Sequence, residues 1–353
     1  MELKIIKSNE LKKKPEGTLG FGKYFSDHMF VMDYQDGKWQ NARIEKYGPL
    51  LMDPSMCTFH YAQETFEGLK AYKAVDGRTL LFRPNKNFAR LNKSNERLCI
   101  PTFDEDFVLY ALKELVKIDR DWIPTEPNTS LYIRPFCIAT DETVGAHTSH
   151  NYKFIIILSP VGTYYKEGLN PVKIMVETNY VRAVKGGVGF AKTGGNYASS
   201  LRAQEDAAAK GYSQVLWLDG VERKYVEEVG TMNVMFKING EVITPSLEGS
   251  ILAGVTRDSI IHVLKDMGVK VTERKISIDE VYEAYLNGTL EEAFGTGTAA
   301  VISPIGVLGW KDKVMTINNG ETGPLSKKLY ETLTGIQKGE IEDKFNWTVD
   351  VDK

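Results

Sequence analysis

The sequence predicts a protein of two domains that combine helices and strands, in the α+β or α/β class. Its 353 residues suffice for two domains, because one domain commonly takes roughly 100–200 residues. Strand-like runs bounded by Asp-Gly and Asn-Gly turns alternate with helix-like apolar stripes. A polar segment containing Gly and Pro, at 163–173, separates the two halves. We predict a small α+β domain over 1–165, a linker over 166–173 and a larger strand-rich domain over 174–353, while length alone also allows one large barrel.

The first half is predicted to form a sheet from hairpins and two longer strands, because its β-rich runs are separated by turn dipeptides. The predicted strand regions are 26–36 and 37–48 around the turn Asp36-Gly37, 65–84 around the turn Asp76-Gly77, then 130–140 and 153–161. Apolar residues that recur every three or four positions predict helices over 85–100 and 104–119. The predicted buried stripe of the second helix is Phe107, Leu109, Leu112, Leu115 and Val116.

The second half is predicted to be rich in strands, with helices inserted between them. The predicted elements are a helix over 199–212 and strands over 214–219 and 233–238, with turns at Asp219-Gly220 and Asn239-Gly240. No repeat of 20–50 residues and no low-complexity tract is present in the sequence. Solenoid and array architectures are therefore excluded.

The charge balance excludes several classes of partner. The 44 Lys and Arg oppose 47 Asp and Glu, so no basic excess draws the chain to nucleic acid or to an anionic membrane. No run approaches the ~18 apolar residues of a membrane span, and the N-terminus lacks the apolar core of a signal peptide. Cys57, Cys99 and Cys137 form no CxxC pair and no complete disulfide set. We expect a cytoplasmic protein without nucleic-acid or membrane partners.

The densest use of glycine surrounds a lysine. Five glycines in the segment 184–200, VKGGVGFAKTGGNYASS, flank Lys192 and precede Tyr197. Glycine lets the backbone approach a ligand closely and adopt positive φ. One interpretation is a mobile loop before a helix. The other is a crowded, partly dry pocket in which Lys192 acts as a nucleophile toward a carbonyl group.

Three further segments place polar groups beside apolar strands or helices. Segment 227–236, EEVGTMNVMF, runs from two glutamates into a strand, although acidic residues at turns are commonly only solvated. Segment 249–268 puts Gly254 at the start of a predicted helix, whose N–H groups are either capped or able to receive a phosphate. Segment 294–304, FGTGTAAVISP, is a second turn that can offer donors to an anion. Neither turn matches an ATP or NAD fingerprint.

Dispersed segments of the chain together resemble the branched-chain amino acid aminotransferases. They are HYAQETFEGLKAY, SLYIRPF, GFAKTGGNYASS, EEVGTMN, GSILAGVTRDS, FGTGTA and the final IEDKFNWTV, in order and over almost the whole chain. The resemblance implies the fold type IV of pyridoxal 5'-phosphate (PLP) enzymes, with a small α/β domain and a larger pseudo-barrel domain. It also implies reversible transfer of the amino group between L-leucine, L-isoleucine or L-valine and 2-oxoglutarate, by a ping-pong mechanism through pyridoxamine phosphate.

The same resemblance implies roles around the cofactor. Lys192 matches the Schiff-base lysine, which also moves the proton between the substrate Cα and the cofactor C4'. Glu228 matches the carboxylate at the pyridine nitrogen, whereas Glu227 is out of register. Tyr197 matches the hydroxyl at the phenolic oxygen. The implied phosphate ligands are Arg90, Val255, Thr256 and Thr298, with Arg83 as a nearby competitor that does not fit the register.

Substrate-binding residues are implied in the same way. The apolar pocket is walled by Phe21, Tyr61, Phe66, Tyr132 and Tyr164, each of which could instead be plain core. Thr231, Ala299 and Ala300 are implied near the α-carboxylate, and Arg134, assisted by Tyr132, near the distal carboxylate of glutamate. Such a pocket separates leucine, isoleucine and valine weakly, since one methylene is worth roughly 1–3 kcal/mol.

The resemblance also bears on assembly and on redox control. In the family the loop that contains Val144 and Ala146 reaches the neighbouring active site, which implies a homodimer. Some relatives carry a redox CxxC after the GTGTA segment, where this chain has Ala300 and Ser303. We therefore expect no thiol switch there.

Two other functions are compatible with some of these residues. Another fold type IV activity, D-amino acid transamination or lyase chemistry, would share the cofactor set, and comparing L-leucine with D-alanine as donors separates the two. A catalytically silent ligand-binding protein is the more distant alternative. No metal site is expected, because His147 and His150 have no companion ligands in the sequence and resemble solvated loop residues.

Overall fold

The computed structural model describes residues 1–162 and 169–353, which form strands and helices throughout. The strands are β1 (Lys4–Ile5), β2 (His28–Gln35), β3 (Lys38–Lys46), β4 (Glu64–Phe66), β5 (Leu69–Lys73), β6 (Thr79–Phe82), β7 (Ser130–Ala139), β8 (Tyr152–Val161), β9 (Val172–Val176), β10 (Gln214–Leu218), β11 (Val226–Val229), β12 (Met232–Ile238), β13 (Glu241–Thr244), β14 (Val271–Glu273), β15 (Leu290–Gly297), β16 (Val301–Trp310), β17 (Lys313–Thr316) and β18 (Thr348–Asp350). The helices are α1 (Cys57–Tyr61), α2 (Pro84–Arg97), α3 (Glu105–Ile118), α4 (Gly194–Ala198), α5 (Leu201–Ala209), α6 (Val255–Asp266), α7 (Ile278–Leu286) and α8 (Pro324–Gln337).

The chain divides into two compact units, each assembled from separate stretches of sequence. The first unit contains Met1–Tyr164, Ala191–Gly194 and Gly335–Lys353, and the second contains Tyr165–Phe190 and Gly195–Thr334. This division assigns two later stretches of the chain to the first unit, whereas the sequence placed all of 174–353 in one domain. The linker over 166–173 stays a prediction, and its residues 166–168 lie outside the described part of the chain.

The first unit is built on a mixed sheet in the order β1-β3-β2-β8-β7-β5-β6-β18, with β4 also paired to β7. Both predicted hairpins form, and the turn residues Asp36 and Gly37 have positive φ, as a tight hairpin turn requires. Alternate residues of β7 and β8 face a core that α2 and α3 cover. The opposite face of β7 presents Tyr132 and Arg134, so the sheet positions two predicted site residues.

Helix α3 buries Leu112, Leu115 and Val116 of the predicted stripe, with Val108 and Ala111 in place of Phe107 and Leu109. Asp104 caps its N-terminus by accepting a hydrogen bond from the Phe107 N–H. Its buried residues are Val108, Ala111, Leu112, Leu115 and Val116, while Phe107 and Leu109 are only partly buried. The buried set follows the three-and-four spacing of one helix face, whereas the prediction favoured the two bulkier side chains at its margin.

The second unit is built on a sheet that closes on itself. Its strand order is β11-β10-β9-β16-β15-β12-β13-β14, and an additional pairing of β11 with β12 closes six of these strands into a barrel. Inward side chains such as Leu216, Val234 and Leu308 fill the interior. The predicted helix over 199–212 is shorter, at Leu201–Ala209, and the helical turn α4 precedes it. The predicted two-part, strand-rich fold is confirmed.

No helix in the described part of the chain combines the length and the apolar character needed to cross a membrane.

Candidate active site

Lys192 lies in the four-residue stretch that belongs to the first unit. Its backbone N–H donates to Ser94 Oγ at 2.9 Å, and its carbonyl accepts from the Phe66 N–H at 3.0 Å. These bonds fix the backbone of Lys192 against α2 and the end of β4. The half-buried side chain places Nζ 4.8 Å from the centroid of the Phe66 ring. A cation over an aromatic face is stabilised there while its amine stays partly shielded from water.

Four of the predicted substrate-binding residues form one cluster in the first unit, which we call the Arg134 cluster: Phe21, Phe66, Tyr132 and Arg134. The Arg134 guanidinium lies 4.8 Å from the centroid of the Phe66 ring, and its Nη2 donates to the Tyr132 hydroxyl at 2.9 Å. Phe21 meets Tyr132 edge to face, with centroids 4.9 Å apart. The sequence predicted these residues separately, and the structure brings them together beside Lys192 through Phe66.

Gly68 explains how Tyr132 reaches its position. A Cβ at Gly68 would collide with the Tyr132 hydroxyl, so only glycine lets the β5 backbone pass so close. Tyr132 is buried, with 8% of its surface exposed. Gly68 of the FEGLKAY motif therefore leaves room for the Tyr132 side chain.

Arg90 forms a two-point ion pair with Glu67. Its Nε lies 2.6 Å from Oε1 and its Nη2 lies 2.9 Å from Oε2, and Glu67 is fully buried. Asn87 and the Gly68 N–H donate to the same carboxylate. Burial by itself raises the pKa of Glu67, but Arg90, Lys192 and Asn87 outweigh it, so the pKa lies below its usual range. Glu67 lies in the HYAQETFEGLKAY segment, and no role was predicted for it from the sequence.

The remaining predicted residues of the first unit lie apart from the Arg134 cluster or outside the described residues. The Tyr61 hydroxyl donates to the carbonyl of Val144, and both side chains are exposed, as is Ala146. Arg83, the competitor for a phosphate, stacks on Trp347 at 4.8 Å. Tyr164 lies outside the described residues.

Glu228 occupies a polar row across three strands of the second unit. It is paired in register with Asn233 on β12, and Asn233 is paired in turn with Thr296 on β15. One oxygen of Glu228 accepts from the Asn233 side chain at 3.3 Å and from the Leu252 N–H at 3.2 Å. All three residues of the row are buried. The barrel thus holds a carboxylate in a fixed position within a largely apolar wall.

Arg182 completes the surroundings of Glu228. Its Nη2 lies 2.5 Å from Glu228 Oε2, and the side chains of Arg182 and Glu228 are 8% and 6% exposed. The same nitrogen donates to the carbonyls of Gly189 and Ser250 at 3.2 and 3.1 Å. Arg182 was not predicted from the sequence, where its signal is its position in VRAVKGG, shortly before Lys192.

Glu227 has a separate environment, although it neighbours Glu228 in the chain. Its carboxyl group bonds to the Ser250 hydroxyl, and its Oε2 is buried without a hydrogen-bond partner among the described residues. Burial raises the pKa of Glu227, and the adjacent Glu228 charge raises it further, against the lowering effects of Ser250 and Arg182.

Backbone donors and hydroxyl groups occur at two places in the second unit. Helix α6 begins at Val255 after Gly254, with no side-chain capping bond, so its first N–H groups point out of the helix end. A Cβ at Gly254 would collide with the Asn233 amide oxygen. Thr296 Oγ1 is buried and has no hydrogen-bond partner among the described residues, just before the turn at Thr298. Both places can receive an anion or a polar ligand group.

The other predicted residues of the second unit lie in turns and in a short helix. Thr231 is exposed in the turn between β11 and β12, and the turn between β15 and β16 holds Thr298, Ala299 and Ala300, all half-buried. Tyr197 is half-buried in α4, and its carbonyl accepts from the Ser200 hydroxyl at 2.7 Å.

The histidine pair has a neighbour that the sequence did not indicate. Asp141 Oδ2 lies 3.2 Å from His147 Nε2 and 3.2 Å from His150 Nδ1. The expectation that these histidines have no companion ligand type was therefore wrong, because the loop folds back onto Asp141. Backbone and side-chain donors from Asn151 also hold this carboxylate. That the cluster binds no metal stays a prediction.

Comparison with known proteins identifies the family. The model of the family "Amino-transferase class IV" matches residues 64–307. Branched-chain-amino-acid aminotransferase 2 of Bacillus subtilis is 61% identical over 99% of this chain and 97% of its own length, and branched-chain-amino-acid transaminase 1 of the same organism is 58% identical over 96% of each. The crystal structure of the Escherichia coli branched-chain amino acid aminotransferase has a TM-score of 0.76 at 26% identity, covering 92% of this chain and 99% of that one. The chain therefore belongs to the class IV aminotransferases, among relatives that are branched-chain-amino-acid aminotransferases.

Proposed function

We propose that this enzyme reversibly transfers the amino group between L-leucine, L-isoleucine or L-valine and 2-oxoglutarate, with PLP as its cofactor. The near full-length similarity to branched-chain-amino-acid aminotransferases supports the reaction. Another solved branched-chain amino acid aminotransferase, 25% identical to this chain, contains pyridoxamine 5'-phosphate, which supports the cofactor. The observation that carries the proposal is the half-buried Lys192 amine above Phe66, beside an arginine suited to a second carboxylate.

The proposal assigns a residue to each polar group of PLP. Lys192 offers the amine, the buried Glu228 offers an anionic partner for a ring nitrogen, and Tyr197 offers a hydroxyl for the phenolic oxygen. For the phosphate we propose Arg90, the N–H groups at Val255 and Thr256, and Thr298. Two features of the second unit support this: the uncapped start of α6 and the orphaned hydroxyl of Thr296. When bound, the cofactor supplies an electron sink for the bond broken at the substrate Cα.

The residues of the chain then supply positioning and proton transfer. Lys192 Nζ takes the proton from the substrate Cα and returns it at the cofactor C4'. Glu228, kept among donors, holds a proton on the ring nitrogen. Glu67 holds Arg90 in one orientation through its two-point pair, so the guanidinium is already ordered before it binds the phosphate.

The proposed substrate-binding residues serve two kinds of substrate side chain, one apolar and one carrying a carboxylate. Phe21, Tyr61, Phe66, Tyr132 and Tyr164 are proposed as apolar walls for a branched side chain, with Thr231, Ala299 and Ala300 near the α-carboxylate. Arg134 has no carboxylate within ion-pair distance among the described residues, and its Nε is buried without a hydrogen-bond partner there. Arg134 is half-buried and bonds to Tyr132, and its charge lowers the pKa of Glu64, so a ligand carboxylate at this guanidinium would gain a charge-assisted hydrogen bond. We assign it the distal carboxylate of glutamate and 2-oxoglutarate.

An absorbance titration tests the proposal. The purified holoenzyme is scanned in the near-ultraviolet and visible range while leucine and then 2-oxoglutarate are added. We expect the visible band to fall with leucine and to return with 2-oxoglutarate, because the amino group moves on and off the cofactor. Lys192→Ala abolishes turnover, whereas Lys185→Ala, an exposed lysine of the same segment, serves as the control and retains it. Turnover of leucine by Lys192→Ala would refute the assignment, and D-alanine acting as the better donor would replace the substrate class.

We also infer a homodimer in the cytoplasm. Val144 and Ala146 are exposed on their loop, which supports contact with a neighbouring subunit. The three cysteines are free thiols, which suits a reducing compartment. Light scattering at twice the mass of the chain tests the first inference, and fractionation of the source cells tests the second.

A further inference from the structure

Among the described residues of the second unit, Arg182 is the buried cation that forms an ion pair with Glu228. The proposed mechanism gives Arg182 no role. Its Nη2 is 2.5 Å from Glu228 Oε2. An ion pair this close and this buried is coupled strongly, because few water molecules can screen it. The state of the Glu228 carboxylate therefore depends on Arg182.

The neighbouring Glu227 is also buried, but its contacts differ from those of Glu228. Both glutamates lie on β11, and both are buried, at 7% and 4% exposure. Glu227 bonds to the Ser250 hydroxyl and keeps an orphaned oxygen within the described part of the chain. The charge of Arg182 also lowers the pKa of Glu227, but the ion-pair contact of Arg182 is with Glu228. The direct contact therefore makes Glu228 the carboxylate that Arg182 orients.

Arg182 also joins three parts of the second unit. It precedes the glycine-rich segment, donates to Gly189 within that segment, and donates to Ser250 in the loop before α6. Leu252 of the same loop donates its N–H to Glu228. Because one side chain bridges these segments, its loss changes both the charge and the position of Glu228.

We propose that Arg182 is a positioning residue that keeps Glu228 ionised and oriented toward the ring nitrogen of the cofactor. This inference rests on the proposed function, since it needs Glu228 at that nitrogen. An arginine suits the task better than a lysine, because a planar guanidinium can serve several acceptors in fixed directions. Arg182 does not touch the reacting atoms in this scheme, and it acts entirely through Glu228.

The test uses the holoenzyme and a spectroscopic measurement. The visible absorbance reports whether the Lys192 nitrogen bonded to the cofactor C4' is protonated. A positive charge on the ring nitrogen opposes that protonation. In Arg182→Gln the ring nitrogen loses its proton more easily, so the pH midpoint of the absorbance change should rise by about one unit or more. The kcat for leucine should fall about tenfold or more. Arg182→Lys should restore part of both effects, because a cation remains.

Two comparisons exclude a merely structural role. Arg43→Gln removes another arginine from an ion-paired site, with Asp33 at 2.8 Å, and should leave the midpoint and kcat unchanged. In a Glu228→Gln background, Arg182→Gln should have almost no further effect on the midpoint, because the group through which it acts is gone. If Arg182→Gln is insoluble, Arg182→Met, which also removes the charge, replaces it.

Each outcome bears on one claim. An unchanged midpoint in Arg182→Gln, or in Arg182→Met when that variant replaces it, overturns the positioning role. Equal effects of Arg182→Gln with and without Glu228 also overturn it. A wild-type protein that binds PLP without a visible band, or does not turn over leucine, instead overturns the proposed function itself, and this inference with it.

Discussion

Each unit contains a buried glutamate–arginine pair, and the two pairs are built differently. Arg90 contacts both oxygens of Glu67 through two nitrogens, as a closed fork. Arg182 contacts Glu228 through one nitrogen, which also donates to two carbonyl groups. In the first geometry two nitrogens of one arginine bind the two oxygens of one carboxylate, and in the second one nitrogen serves acceptors from three segments. Similar residue types therefore serve to orient a cation in one unit and an anion in the other.

The largest expected effect is a difference in the free energy of unfolding between variants of the two pairs. Glu67→Ala leaves Arg90 buried without its carboxylate, so the free energy of unfolding should fall by about 3–5 kcal/mol. Glu228→Ala should cost less, about 2–3 kcal/mol, because Arg182 keeps the carbonyls of Gly189 and Ser250. Denaturant unfolding of the two cofactor-free variants measures the difference.

A half-exposed pair provides the control for this comparison. Glu114→Ala removes a carboxylate 2.8 Å from Lys117, and it should cost no more than about 1 kcal/mol. If Glu67→Ala and Glu228→Ala lose the same stability, the shape of the fork has no energetic importance and the comparison fails.

Arg134 extends the comparison to a third arginine. Among the described residues, no carboxylate lies within ion-pair distance of it. Arg134→Gln should raise the KM for 2-oxoglutarate about 10- to 100-fold, because a charge-assisted hydrogen bond is worth about 1.5–3 kcal/mol. The value of kcat/KM for leucine should change far less, since its side chain carries no charge. Steady-state kinetics with each substrate varied in turn gives both values, and equal losses for both would show that Arg134 only supports the pocket wall.

The smallest expected effect is a difference in pH dependence. Glu67 has a lowered pKa, so its contribution to stability is present above the ordinary carboxyl pKa and is lost as the pH falls through its folded value. Glu227 has a raised pKa, so its contribution is present below the ordinary carboxyl pKa and is lost as the pH rises through its folded value.

Glutamine variants expose these opposite slopes. Relative to the wild type, Glu67→Gln should become progressively less destabilising as the pH falls below the ordinary carboxyl pKa. Glu227→Gln should become relatively more stable as the pH rises above the ordinary carboxyl pKa, because the wild type must then ionise a buried carboxyl group. Unfolding curves across this range test both, and parallel curves for the two variants would remove the electrostatic distinction between the units.

The sequence predicted most of the fold because local signals agree with the final structure. Asp-Gly at 36–37 demands a tight turn, and the turn forms. The face of α3 was misjudged because Phe107 and Leu109 are large, whereas packing on the sheet selects the face that carries Val108 and Ala111. Likewise, no change in composition marks 191–194 or 335–353 as parts of the first unit, since their membership depends on long-range contacts.

The candidate site was predictable where a motif carries the residue, as for Lys192 and Glu228. Their chemical roles remain predictions. Glu67 and Arg182 were missed because their partners lie far along the chain, and pairing across such distances leaves no periodic signal. The Arg134 cluster was found residue by residue, but its mutual contacts needed the structure.

The pairing of β18 with β6 has a consequence for how the protein is made. During synthesis, the edge of the first sheet at β6 leaves the ribosome long before Thr348–Asp350 can cover it. Residues 191–194 also emerge well after the sheet that they join. Contacts between such distant parts of a chain form slowly. The nascent protein therefore exposes an unpaired strand edge at β6 until Thr348–Asp350 has been made and has paired with it.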